Sequence, residues 1–274
     1  MRKPTLIFIL LTYFITILSA QSSPEHKPFV LGITDQIRSA ELGEMRTLNI
    51  YLPQGYTDSN TTYPVIYLLD GGAGEDFVHI CGIEQFLSEI VDTMPKAIIV
   101  GIANTDRKRD FTFSPVSDKD KKLVPTGGGS AKFISFIEKE LQPYINRKYK
   151  AGKSATLIGQ SLGGLLASEI LVKKPELFDR YLIVSPSLWW HDESLLADAP
   201  EWLGKKLTKE TRVYIAVGKE EKQMQEDAKK LADLLKTSGK TNLKVDYNFM
   251  PEENHLTILH NAAYKGFEVL FSKK

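Results

Sequence analysis

Ser161 stands in Gly159-Gln160-Ser161-Leu162-Gly163, after the apolar run ATLI and before the helix-like LASEILVKK. A serine flanked by glycines between a strand and a helix sits on a sharp turn that lifts its hydroxyl clear of a sheet. A serine hydroxyl is a poor nucleophile at neutral pH and needs a base within hydrogen-bond reach, most often a histidine. The chain has five histidines. His26 lies near the amino terminus, His79 follows a glycine loop, His191 follows two tryptophans and His260 falls within a helical pattern. His255 differs in lying on the loop 251–256, between a strand pattern and the final helix pattern, and is the candidate base. A third group should orient the imidazole and offset its charge. After the strand pattern VYIAV come Gly218-Lys219-Glu220-Glu221, so the acid is Glu221, with Glu220 as the alternative. The negative oxygen formed during acyl transfer needs two backbone N–H donors. Leu162, directly after the serine, supplies one. The glycine run Asp70-Gly71-Gly72-Ala73-Gly74, after the apolar VIYLL, supplies the other, best at Gly72.

These residues need a rigid scaffold, and strand-like and helix-like segments alternate along the chain as in an α/β fold with a mostly parallel sheet. The segments 65–69 and 97–102 are continuous apolar runs bounded by turn residues, the pattern of strands buried on both faces. The segments 30–39 and 45–52 read as an opening antiparallel pair, since Leu48, Ile50 and Leu52 alternate with polar neighbours. Further strands are expected over 156–159, 181–184, 213–217 and 243–249, about eight in all. Apolar residues at three- and four-residue spacing predict helices over 131–144, 162–173, 222–235 and 257–271. Gly127 to Gly129 reads as a hinge before a helix, because Ser130-Ala131 follows where a phosphate loop would place Lys-Ser or Lys-Thr. The charge run at 119–122 reads as a solvated loop.

Taken together, DGG after a strand, NTDRKRDF at 104–111, GQSLGG at 159–164, SPSLWW at 185–190, VGKEE at 217–221 and NH at 254–255 resemble the putative-esterase family of α/β-hydrolases. That family holds siderophore esterases, feruloyl esterases and S-formylglutathione hydrolases. The resemblance extends over nearly all of the chain after its leader and is nearest to the siderophore-esterase branch. It implies an α/β-hydrolase fold with an eight-stranded sheet, a serine-centred site acting on a small-molecule ester, and no metal or other cofactor. In that branch an Arg-x-x-Asp segment follows a central strand, here Arg107-Lys108-Arg109-Asp110, and Arg107 would reach an acidic or catecholate part of the substrate. The segment continues Thr112-Phe113-Ser114-Pro115 where the family runs Thr-Pro. Trp189 and Trp190 would line an aromatic wall of the pocket or pack in the core. Some members work with serine and histidine alone, which would make the acid dispensable.

Composition fits an ordinary globular protein of 274 residues, with 42% hydrophobic and 25% charged residues. Arg2 and Lys3 precede an apolar run over 6–18, and small residues follow at Ser19, Ala20, Ser22 and Ser23. This reads as a secretory signal peptide over 1–22, cleaved after Ala20 or Ser22, ahead of one domain over 23–274. The run is short for a spanning helix, which needs ~20 residues, so no stable membrane insertion is expected once the leader is removed. Loss of residues 1–20 takes 35 basic and 34 acidic residues to 33 and 34, leaving no basic field for nucleic acid. Cys81 is the sole cysteine, which excludes both a lipidated leader cysteine and an intramolecular disulfide. Export without disulfides suits a bacterial periplasm or exterior. Nothing in the sequence speaks to oligomeric state.

Overall fold

The computed structural model describes residues 26–58, 60–115, 117–203 and 207–272, so the expected signal peptide lies outside the described residues. Residues 26–31 carry no helix or strand, and the chain from Gly32 onward forms one compact unit. Its elements, in order, are β1 (Ile33–Arg38), β2 (Met45–Tyr51), β3 (Tyr63–Leu68), α1 (Phe77–Gln85), β4 (Ile98–Ile102), α2 (Arg107–Phe111), α3 (Asp118–Leu123), α4 (Ser130–Phe136), α5 (Gln142–Lys148), β5 (Ala151–Gln160), α6 (Leu162–Lys173), β6 (Arg180–Val184), α7 (Trp190–Leu203), β7 (Thr211–Gly218), α8 (Lys222–Thr237), β8 (Leu243–Met250) and α9 (Ile258–Leu270).

The strands form one eight-stranded sheet in the order β1-β2-β4-β3-β5-β6-β7-β8. β2 runs antiparallel to both β1 and β4, and every other neighbouring pair is parallel. This is the α/β-hydrolase architecture. The central strands are buried on both faces because their sequences are uninterrupted apolar runs: Ile98 to Ile102 and Tyr181 to Val184 are all buried. β5 begins earlier than the apolar run 156–159, because Tyr63 in β3 pairs with Ala151 before a register shift. β1 begins at Ile33, later than residue 30.

Among the helices, α6 is buried from Leu162 to Val172. An apolar surface on every side is what a helix packed between layers requires. The helix expected over 131–144 is instead three pieces, α4, a π turn over Ile137–Leu141, and α5. Pro143 sits in the first turn of α5 and has no N–H to give to the preceding turn, so the ladder widens there. The charge run at 119–122 lies in α3 rather than in a loop. Its start is capped by the Ser117 hydroxyl, which accepts the Asp120 N–H at 3.1 Å, and Asp120 is buried. Cys81 lies on α1, wholly buried, and burial pushes its thiol well above the usual range. Among the described residues no helix is long and apolar enough to cross a membrane.

Candidate active site

In a parallel sheet the loops that follow the strands gather at one edge, and ligands bind there. At that edge three residues hold positive φ directly beyond central strands: Asp70 after β3 at 53°, Ser161 after β5 at 59° and Ser185 after β6 at 42°. Ser161 also has ψ of −119°, outside the left-handed helical region, a conformation that costs on the order of 1–3 kcal/mol. Three backbone bonds hold it: its N–H donates to Val184 O, and its carbonyl accepts from Ser187 N–H, both at 3.0 Å, and from Leu165 N–H at 2.9 Å. The turn closes so tightly that a Cβ at residue 159 would lie 2.2 Å from Gly163 O, so only glycine fits there. Leu162, at the first position of α6, leaves its N–H without an intrahelical partner and therefore available to a ligand.

His255 lies on the loop between β8 and α9. Its carbonyl accepts from Gln160 Nε2, which ties the loop to the residue beside the serine. Its Nδ1 lies 2.8 Å from Glu220 Oε2. The Glu220 side chain is only 3% exposed and that of His255 is 37% exposed, so the pair runs from the interior to the surface. Glu220 Oε1 accepts from Ser185 Oγ and, at 3.2 Å, from Gly218 N–H. Burial works to raise the Glu220 carboxyl, but the hydrogen bonds from His255 and Ser185, the histidine charge and the Gly218 N–H outweigh it and hold it below the ordinary value. Its stabilising contribution is present above the ordinary glutamate value of ~4.3 and is lost as pH falls through the lowered one.

The preferred acid, Glu221, is placed differently. It is exposed, directly precedes α8 and has no hydrogen bond to the imidazole among the described residues, so on geometry the preference passes to Glu220. Among the described residues the hydrogen-bonding neighbour of Ser161 Oγ is Ser187 Oγ at 3.3 Å, and no hydrogen bond joins it to His255. Of the other histidines, His79 and His260 stack edge to face with ring centroids 6.2 Å apart, and His191 packs on Phe113. His26 lies among residues 26–31, outside the sheet.

The second N–H candidate is already engaged. Gly72 N–H donates to Glu75 Oε2 at 2.7 Å, while Glu75 Oε1 accepts from Asn104 Nδ2 at 2.7 Å. Asn104 Nδ2 also reaches Asp70 Oδ1 at 2.7 Å. Arg107 is likewise committed: its Nε and Nη2 grip the two oxygens of Asp70 at 2.5 and 3.0 Å, and Nη2 also reaches Gln160 O at 3.3 Å. Its charge is thus spent beneath the serine turn, with a third of the side chain still exposed. Trp189 is half-buried and lines a cavity. Trp190 is 0% exposed and donates its indole N–H to Phe113 O at 3.0 Å, which makes it a core residue and takes it off the pocket wall.

Ser185, Ser187, Asp70, Glu75 and Asn104 escaped the reading of single residues. A signal existed, because SPSLWW and the DGG segment both follow apolar strand patterns. Only the strand order shows that the β3, β5 and β6 ends are adjacent.

Comparison with known proteins agrees with this architecture. The model of the family described as putative esterase matches residues 39–273. The ferri-bacillibactin esterase BesA of Bacillus subtilis is 29% identical over 255 residues, covering 84% of this chain and 87% of the relative. The siderophore triacetylfusarinine C esterase of Aspergillus fumigatus is 28% identical over 175 residues, covering 60% of this chain and 59% of the relative. Among solved structures, an IroE-like serine hydrolase from Shewanella oneidensis superposes with a TM-score of 0.80 at 32% identity, over 88% of this chain and 80% of that one.

Proposed function

The chain belongs to the putative-esterase family, on its siderophore-esterase side, and is an ester hydrolase; we propose that it works through an acyl-enzyme on Ser161. The observation that carries this reading is the meeting, at one sheet edge, of a strained serine with a histidine whose far nitrogen is held by a buried carboxylate. The Ser161 hydroxyl turns from Ser187 toward His255 Nε2, gives up its proton there, and its oxygen attacks the ester carbonyl. Glu220 keeps the proton on Nδ1 and offsets the imidazolium charge. The carbonyl oxygen, now negative, is held by Leu162 N–H and by Gly72 N–H once Glu75 releases it. His255 returns the proton to the departing alcohol. Water then repeats the sequence on the acyl-serine and releases the acid. No step draws on a metal or an organic cofactor.

The names of the relatives support a siderophore-type or aryl ester as the class of substrate. The leader pattern at 1–22 supports export to a bacterial periplasm or beyond. The deciding experiment is hydrolysis of nitrophenyl, feruloyl and catecholate trilactone esters by wild type and by Ser161→Ala. The variant is expected to lose ~10³-fold or more in kcat on every ester that wild type cleaves. Retention of near wild-type turnover would sink the mechanism.

A further inference from the structure

Of the three residues that hold positive φ beyond central strands, Ser161 is the proposed nucleophile and Asp70 anchors Arg107. The third, Ser185, is wholly buried beyond β6 with φ of 42°. A residue with a side chain rarely adopts that backbone, whereas glycine does so freely. Pro186 follows, and a residue before proline is pressed toward extended backbone, which Ser185 does not have. A serine kept there in place of glycine must bring something through its hydroxyl. That hydroxyl donates to Glu220 Oε1, 35 residues further along the chain, and has no other hydrogen bond among the described residues.

The backbone ties Ser185 to both sides of the site. Its N–H donates to Ala216 O of β7 at 2.8 Å, and the carbonyl of its neighbour Val184 accepts the Ser161 N–H at 3.0 Å. A glutamate side chain is long and has much rotamer freedom to lose. Here the two oxygens of Glu220 are divided between partners: Oε1 takes the Ser185 hydroxyl and, at 3.2 Å, the Gly218 N–H, while Oε2 faces His255 Nδ1 at 2.8 Å. The Glu220 side chain is almost fully buried, so little water is at hand to replace the hydroxyl. Without it the long Gly218 bond alone would set the carboxylate plane.

We infer that Ser185 is a positioning residue for ester hydrolysis: its hydroxyl fixes the Glu220 carboxylate in the orientation that keeps the proton on His255 Nδ1. The inference rests on the acyl-enzyme reading and adds to it a residue that, being wholly buried, acts only through Glu220.

Two variants separate the hydroxyl from the turn. Ser185→Ala removes the hydroxyl and keeps the strained backbone, whereas Ser185→Gly removes both. On nitrophenyl butyrate each is expected to lose about tenfold in kcat, the scale of one hydrogen bond to a charged group, with KM within about twofold of wild type. Introduced into Glu220→Ala, either substitution should lower kcat by no more than about twofold further, because the hydroxyl then has no carboxylate to hold. A residue that merely supports the turn would instead impose its full loss in both backgrounds. Urea midpoints establish that the variants are folded under the assay conditions, and either Ser185 variant suffices for the comparison. Wild-type kcat in a folded Ser185 variant, or a loss that multiplies in full in Glu220→Ala, overturns the positioning role and leaves the serine mechanism standing. Cleavage that survives Ser161→Ala counts against the acyl-enzyme itself, and the role of Ser185 falls with it.

Discussion

Ser161, His255 and Glu220 come from three different loops, and a chain of hydrogen bonds joins the last two and ties the His255 loop to Gln160 beside the serine. Glu220 sits at the centre of that chain, accepting from His255, Ser185 and Gly218. Glu220→Gln keeps the shape but removes the charge and favours the wrong imidazole tautomer, so kcat is expected to fall by ~10²-fold or more. Glu221→Gln should leave kcat on a neutral ester within about twofold. Steady-state rates of the two variants side by side decide which glutamate serves, and equal losses would remove Glu220 from the role. Glu75 poses the opposite case, a carboxylate resting on the N–H proposed to receive the carbonyl oxygen. Glu75→Ala frees Gly72 and is expected to raise kcat/KM a few-fold, the scale of one hydrogen bond. A loss of activity in that variant would mean that the side chain supports the loop instead. The strand-to-helix turn of Ser161 and the loop position of His255 could be placed from sequence because glycine spacing and element order leave visible marks. The choice between two consecutive glutamates leaves none, since it depends on which way β7 ends.

The elements were legible where burial is total or strictly one-sided. Ile98 to Ile102 could hardly be other than an inner strand, and β2 shows its alternation plainly. Short helices such as α2 and α3 were not legible, because their stability comes from caps and tertiary contacts rather than from an apolar stripe: Asp106 and Ser117 cap them through side chains that accept backbone N–H groups. The α1 helix holds a further feature that periodicity hides. Glu84 is fully buried there, accepts the Ala97 N–H at 2.7 Å, and burial pushes its carboxyl up to about 7. A folded value above the unfolded ~4.3 means that stability is fully present below the latter and declines as pH rises through the former. Glu84→Gln is therefore expected to match wild type at pH ~4 and to exceed it by on the order of 1–3 kcal/mol at pH ~8. Urea midpoints at the two pH values check this, and a variant less stable at the higher pH would refute it.

At the scale of the whole molecule, the mostly parallel α/β sheet follows from alternation and its α/β-hydrolase character from the resemblance, whereas the cavity that Trp189 lines follows from neither, since its lining is drawn from α3, α7, α8 and the loops before them. A sheet with one antiparallel edge and a parallel interior makes the inner strands rise and fall together, because none can leave without exposing its neighbours. The single thiol of Cys81 lies wholly beneath that arrangement. In the native protein it is expected to be silent to a thiol reagent at neutral pH, and in denaturant to react at the pace of opening of the α1 region, as a mass shift of one adduct. Rapid labelling of the native protein would contradict its burial. With no second thiol to complicate the signal, the chain carries its own stopwatch, one that records how long the fold survives without any disulfide to lock it.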